Sequence, residues 1–392
     1  MPSTINNLRI TFWGTQGSLQ HFPGPDEVDD YTNQIAVDMI YRVLRDLQAR
    51  NPGGKVDLDE LIGPINNESV KECFERIGRA HPSVYGGETT CTEIETSDGY
   101  LIVIDGGSGI RHFARQRIMD WRDRTDRTLH ILGTHDHLDH RIGLPFSDIC
   151  FARPAFQLNV FGNYRFLAAL DDRFAVFSKE VTEATHRDDP LDYRMMAAEF
   201  HGTQIRDLQN PDPKERQVPN CETHDLSKPI VLGKTVITPF PVYHADTPCL
   251  AYRFEHEDVV FLFCTDHELR HGDDPQHPRQ KRSEAAEQLV RRMAKNADVA
   301  YFDGQYLLEE YHGRKGTGRC TPGVSRMDWG HSCIEDVIER AYDCQIKRTF
   351  IGHHDPDREW LDRLTLDERL QADSKDTGCH IELAKDRQVV DL

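Results

Sequence analysis

Short apolar runs recur along the chain, and many end in a polar residue or a glycine-rich turn. Leu8-Arg9-Ile10-Thr11-Phe12-Trp13 predicts a first strand, and Gly14-Thr15-Gln16-Gly17-Ser18 a turn after it. Residues 29–49 predict a helix, with Ile35, Met39, Val43 and Leu47 on one face and Asn51-Pro52-Gly53-Gly54 as its end. A second helix is expected from Ser69, with Glu72 completing a capping box and Val70, Cys73, Phe74 and Ile77 as the apolar stripe. Strands are predicted at 92–95, 101–105 and 129–132, with a helix at about 110–119 between the last two. Residues 164–229 are polar and weakly patterned, which predicts surface helices and loops. Strands resume at 235–240, 251–255 and 259–263. The chain then predicts a helix after Ser332, a strand at 348–352, a helix near 358–371 and a last strand at 380–383. Runs of strands with interspersed helices point to a layered α/β (α+β) fold, and 392 residues suffice for one large domain spanning 1–392.

Composition narrows the function classes. Hydrophobic residues make up 38% of the chain, enough for a packed core, but no apolar stretch reaches the roughly 18 residues of a membrane span. The start, Met1-Pro2-Ser3-Thr4-Ile5-Asn6-Asn7, lacks the basic and apolar segments of a secretory signal. Ten cysteines are scattered with no Cys-x-x-Cys pair, and several lie in strand-like apolar runs, the usage of reduced thiols in a cytoplasmic protein. The formal net charge of −19 disfavours binding along DNA or RNA. A small phosphorylated substrate stays compatible with that charge if a metal centre supplies positive charge locally.

The densest chemistry is Thr134-His135-Asp136-His137-Leu138-Asp139-His140, directly after the apolar run 129–132. In extended backbone, residues two apart face the same side, so His135 and His137 can hold one metal ion together. Asp139 and His140 fall just beyond, where a turn can swing them towards a second ion. Three further polar residues end apolar runs: His244 after Pro239-Phe240-Pro241-Val242-Tyr243, Asp266 after Phe261-Leu262-Phe263-Cys264-Thr265, and His353 after Phe350-Ile351-Gly352. With the first four they make five histidines and two aspartates, and one bridging carboxylate would give four protein ligands to each of two ions. His354 is an alternative to His353, because a shift of one residue reverses a side chain. Histidine and aspartate ligands without thiolate suit zinc, and also manganese or iron. Ser332 and Glu335 form a capping-box pattern, which predicts a helix starting directly after His331 and holding that histidine on fixed backbone.

These residues resemble the metallo-β-lactamase fold hydrolases, and within them the ribonuclease-Z-like and cyclic-nucleotide phosphodiesterases. The resemblance rests on Phe12-Trp13-Gly14-Thr15-Gln16-Gly17-Ser18, Pro23-Gly24-Pro25, Tyr85-Gly86-Gly87-Glu88-Thr89-Thr90-Cys91, Ile104-Asp105-Gly106-Gly107-Ser108-Gly109, the His-x-His-x-Asp-His element, Thr265-Asp266, Trp329-Gly330-His331-Ser332 and His353-His354-Asp355-Pro356-Asp357. It implies a four-layer αββα sandwich with the site at one edge. It implies His135, His137 and His244 on one ion, Asp139, His140 and His353 on the other, and Asp266 bridging. Asp105 would orient a ligand histidine, or else simply cap a turn. Asp139 and His331 would be the catalytic side chains, with His331 contacting the scissile phosphate and giving a hydrogen bond or proton to the leaving oxygen.

The implied activity is metal-assisted hydrolysis of cyclic nucleotides or other small phosphodiesters. A water whose pKa falls from ~15.7 to near 7 on metal binding would be the nucleophile. Hydrolysis of a thioester, lactone or sulfate ester on the same fold is the alternative, as is a non-catalytic metal-binding interaction protein. A homodimer is expected from the resemblance.

Three departures from the family pattern stand out. The stretch at about 26–84 is longer than in close relatives and predicts a helical insertion. The family's Gly-Gly-Asn-Thr reads Gly86-Gly87-Glu88-Thr89, which would bring a negative charge to an anion site if Glu88 points inward. Only 21 residues separate His244 from Asp266, too few for the RNA-binding arm of transfer-RNA-processing relatives.

Overall fold

A computed structural model describes residues 5–50, 53–54, 63–64, 66–77, 83–180, 191–318 and 322–392. The first half of the chain supplies β1 (Leu8–Gly14), β2 (Cys91–Thr96), β3 (Leu101–Ile104), β4 (Thr128–Leu132), β5 (Gln157–Gly162), β6 (Glu199–Arg206) and β7 (Glu222–Asp225). The second half supplies β8 (Ile230–Leu232), β9 (Thr235–His244), β10 (Thr247–His256), β11 (Val259–Cys264), β12 (Val299–Asp303), β13 (Arg348–Gly352) and β14 (His380–Leu383). A last strand, β15 (Gln388–Asp391), crosses back and pairs antiparallel with β1, so the two ends of the chain close one sheet. Among the described residues the sheets have eight strands, in the order β15-β1-β2-β3-β4-β5-β6-β7, and seven, in the order β14-β13-β12-β11-β10-β9-β8.

The longer helices are α1 (Pro25–Arg50), α2 (Asn67–Ile77), α3 (Ile110–Asp120), α4 (Tyr164–Phe174), α5 (Pro278–Ala294), α6 (Ile334–Asp343) and α7 (Trp360–Ser374). Three apolar layers tie these elements together. Ile10, Phe12, Ile102, Ile104 and Leu132 of the first sheet meet Tyr252, Phe254, Phe263, Tyr301 and Phe350 of the second. The opposite face of the first sheet, with Val103, Leu129, Ile131 and Val160, is covered by Phe113 of α3 and by Phe166, Leu167 and Leu170 of α4. The opposite face of the second, with Leu262, Cys264, Ala300 and Phe302, is covered by α5, α6 and α7 through Val290, Val337, Ala341 and Leu370. Both sheets are thus buried on two faces, which is why their central strands read as continuous apolar runs. The result is the expected four-layer αββα sandwich.

Several local expectations need correction. Residues 164–229 hold more than surface loops: α4 is a core helix and β6 and β7 extend the first sheet. The buried stripe of Phe166, Leu167, Leu170 and Phe174 is diluted in sequence by Arg165, Asp171, Asp172 and Arg173, and the Asn163 side chain caps the helix by accepting from Arg165 N and Phe166 N. Residues 181–190 lie outside the described residues. Helix α2 starts before Ser69, because the Asn66 side chain accepts from Glu68 N and Ser69 N and takes over the capping role. The Ser332–Glu335 capping box does not form: Ser332 Oγ donates to His267 O, Glu335 accepts from Leu308 N, and Cys333 is the residue flanking α6.

In the 26–84 stretch, α1 begins at Pro25, and its Tyr31 packs edge-on against Trp360 at 5.5 Å. Parts of that stretch, including Asn51 and Pro52, lie outside the described residues. Nine cysteines are described and all are free; Cys320 lies outside the described residues. Among the described residues, no helix is long and apolar enough to cross a membrane.

Strand direction places the chemistry. β3 and β4 run parallel, and so do β11, β12 and β13. β9 has the same direction as β11, because both are antiparallel to β10 between them. The C-terminal ends of these six strands carry Asp105, the 133–140 loop, His244, Asp266, Asp303 and His353. Outside the carboxyl ends of parallel strands is where α/β folds gather binding groups.

Candidate metal centre

β4 stops at Leu132, so His135 and His137 are loop residues rather than strand residues. The backbone nevertheless stays extended there, with His137 at φ −64° and ψ 151°, and both imidazoles meet the same cluster. A single 3₁₀ turn, Leu138–His140, then swings Asp139 and His140 to the neighbouring position.

Two clusters result, joined by one carboxylate. His244 Nε2 lies 3.1 Å from His137 Nδ1 and 3.6 Å from Asp266 Oδ2, and His135 Nε2 lies 3.5 Å from that same oxygen. The other oxygen, Asp266 Oδ1, lies 3.3 Å from both His140 Nε2 and His353 Nε2, while Asp139 Oδ2 is 3.3 Å from His140 and 3.2 Å from His353. His140 Nε2 and His353 Nε2 are themselves 3.3 Å apart.

These spacings fit bound ions. Tetrahedral coordination with metal–nitrogen bonds of about 2.0–2.1 Å places ligand atoms about 3.3 Å apart. Imidazole nitrogens facing each other at such distances repel through their lone pairs unless a proton or cation lies between them. His135 Nε2 is buried with no hydrogen-bond partner, a costly arrangement for a polar atom unless it binds an ion. Burial drives His135 well below the ordinary histidine range and His244 down to about 4, despite the nearby Asp266 carboxylate; neutral imidazole is the form that ligates. Burial would raise Asp266, but His353, His140 and His135 hold it well below the usual carboxylate range, so it is ionised at neutral pH.

The surroundings orient these groups. Asp105 Oδ2 contacts His140 Nδ1 at 2.7 Å, and the same carboxylate accepts from Thr134 N and Thr134 Oγ1. This aims the opposite nitrogen, Nε2, at the cluster. His244 Nδ1 pairs with the Gly330 carbonyl at 2.9 Å, Gln305 contacts His353 Nδ1 at 3.1 Å, and Ser18 N donates to Asp139 Oδ2 at 2.8 Å. Asp105, Asp266 and His353 adopt left-handed backbone at φ +59°, +52° and +53°. Such strain, about 1–3 kcal/mol per residue, persists where the surroundings over-determine it and clusters at functional sites. The left-handed turn at His353 separates it from His354, whose Nε2 contacts Ala384 O at 2.8 Å, away from the cluster. Glu88 turns to Gln20, Arg111 and His112, where its charge is paired.

His331 stacks on His353 with ring centroids 4.8 Å apart. Its Nδ1 lies 3.2 Å from Asp303 Oδ2, which also accepts from Ser332 N, and 3.8 Å from Asp266 Oδ2. Burial would lower its pKa, but the Asp303 and Asp266 carboxylates outweigh it and raise it above the ordinary histidine value.

Motif reading does not single out Asp303, Glu268 or Gln305. Asp303 ends the apolar strand β12, the same signal that marks Asp266. Glu268 is buried and accepts from the backbone N–H groups of Asp328 and Gly330 and from the Tyr311 hydroxyl, clamping the loop that carries His331.

No family model and no curated protein matches the chain. Among solved structures it is similar to a diphosphatase of the PhnP family, at 15% identity and TM-score 0.49, covering 98% of each chain. It is also similar to the metallo-β-lactamase fold protein YhfI from Bacillus subtilis, at 12% identity and TM-score 0.49, covering 98% of this chain and 99% of that one. A third likeness is to unliganded yeast PDE1, at 14% identity and TM-score 0.47, covering 80% of this chain and 96% of that one. Identities this low leave the reading of the site to its own side chains.

Proposed function

We propose that the protein is a dinuclear-metal hydrolase that cleaves cyclic nucleotides or other small phosphodiesters. The observation that carries this reading is Asp266, whose two oxygens each face a separate histidine cluster while His331 stands alongside. His135, His137 and His244 would hold one divalent ion, and Asp139, His140 and His353 the other, with Asp266 between them. Zinc suits this donor set, and manganese or iron is compatible with it. When bound, two such ions supply positive charge for a phosphate and lower the pKa of a water towards about 7.

The chain's own residues do the rest. Asp105, Gln305 and the Gly330 carbonyl fix imidazoles with one nitrogen directed inward. When protonated, His331 would give Nδ1–H to Asp303 and keep Nε2–H for the phosphate or the leaving oxygen. A deprotonated ester oxygen is a poor leaving group, so this proton is the direct contribution of His331 to bond cleavage.

The test is product analysis by chromatography. Zinc- or manganese-loaded protein is given 3′,5′-cyclic nucleotides, linear dinucleotides, a thioester and a lactone, with Asp266→Ala in parallel. Opening of a cyclic nucleotide that is lost in the variant supports the reading. Turnover of only a non-phosphate ester, or of nothing with metal bound, overturns it.

A further inference from the structure

Trp329 stands two residues before His331 and is 50% exposed, whereas the other three tryptophans are buried or half-buried. Isolated exposed apolar side chains are ordinary, and exposure alone would carry nothing. Three observations set this one apart. The Arg326 guanidinium lies 4.3 Å from the indole centroid and so backs one of its faces. The same guanidinium lies 5.6 Å from the Tyr306 ring, which meets His331 edge-on at 6.2 Å, so Arg326 links the indole to the ring beside the candidate centre. The backbone is held on both sides: Trp329 N donates to Arg326 O, and the next residue, Gly330, is fixed by Glu268 at its N–H and by His244 at its carbonyl.

The indole is therefore a preordered aromatic plate with a cation behind it and a solvent-exposed surface. The Cα atoms of Trp329 and His331 are at most about 7 Å apart, a span on the order of that between the phosphate and base of a nucleotide. We infer that Trp329, backed by Arg326, is the platform on which a planar heteroaromatic group of the substrate, a nucleobase, stacks while the phosphodiester lies at the metal centre. This assignment rests on the phosphodiesterase reading and sharpens it. Trp329 becomes the residue that separates nucleotides from phosphodiesters without a base. Stacking tolerates different bases, because every base has a π face.

The experiment compares wild type, Trp329→Ala and Trp329→Phe on adenosine 3′,5′-cyclic monophosphate and on 1-deoxyribose 3′,5′-cyclic phosphate, the same ring without a base. In Trp329→Ala the ratio of kcat/KM, nucleotide over baseless ring, is expected to fall about 5- to 150-fold, with Trp329→Phe retaining most of it. An unchanged ratio, or an equal fall on both substrates, overturns the assignment. Indole fluorescence during titration with adenosine 5′-monophosphate gives a readout independent of turnover. Quenching seen in wild type and lost in Trp329→Phe supports stacking even if neither cyclic substrate is cleaved, in which case only the phosphodiesterase reading falls. Absence of quenching together with absence of turnover overturns both.

Discussion

Replacing Glu268 isolates the clamp behind His244. Its Oε1 receives Asp328 N–H at 2.8 Å and the Tyr311 hydroxyl at 2.5 Å, and its Oε2 receives Gly330 N–H at 2.8 Å. Glu268→Gln offers one oxygen and one amino group in the same volume. If the oxygen keeps Asp328 and Tyr311, Gly330 N–H faces a donor. If the amide turns over, Asp328 N–H does. Either way one buried backbone donor goes unmet, at a cost of about 1–3 kcal/mol. Glu268→Ala strands all three donors, and roughly 3–6 kcal/mol is expected after partial relaxation. Urea unfolding should therefore rank wild type above Glu268→Gln and Glu268→Ala below both. The second consequence reaches the metal centre, since the Gly330 carbonyl fixes His244 Nδ1. Loss of outer partners of metal ligands typically weakens metal binding 10–100-fold, so about tenfold weaker zinc binding is expected for Glu268→Gln in competition with a chelator. A Glu268→Gln protein matching wild type in both stability and zinc affinity would refute the clamp. Lost stability with unchanged affinity would confine Glu268 to a folding role.

Other outcomes follow from the same contacts. Glu287 is buried against His267, Arg291 and the fully buried Arg340, so Glu287→Ala leaves an uncompensated cation and should cost roughly 3–5 kcal/mol in urea unfolding. Burial opposes ionisation of Glu287, but Arg340 and His267 hold its pKa well below the unfolded value of about 4.3; its stabilisation is complete above that pH and is lost on acidification, a loss that Glu287→Gln should flatten. Gly330 has φ +94° and an added Cβ would run into the His244 ring, so Gly330→Ala should lose metal, measured as the metal-to-protein ratio after gel filtration; two retained equivalents would count against the geometry. Asp105→Ala frees His140 Nδ1 and should weaken zinc binding 10–100-fold by chelator competition, an effect absent if Asp105 only caps a turn.

Why the clusters are legible in sequence, while their supports mostly are not, has a physical reason. Asp266, His244 and His353 are each the polar residue that ends an apolar run, and strands of common direction deliver such residues to one edge of the sandwich. The pattern that buries a strand therefore also announces what it carries. Asp303 obeys the same rule at the end of β12, so its approach to His331 was open to sequence reasoning. His353 and His354 are equivalent by pattern; a positive φ, a property of the folded turn, sends one to the cluster and the other to Ala384. Glu268 is illegible for a different reason. Its partners include backbone N–H groups about sixty positions away, and a backbone N–H has no residue identity to recognise. Helix α4 and strand β6 hide similarly, because charged neighbours dilute the stripe of α4 and β6 buries Gly202 and Gln204 where a strand pattern expects larger apolar side chains. Ligands must be particular residue types, whereas clamps need only complementary geometry. Substitutions at Glu268 and Asp303 therefore test the centre more sharply than substitutions at the ligands, whose loss would look the same under any metal-binding reading.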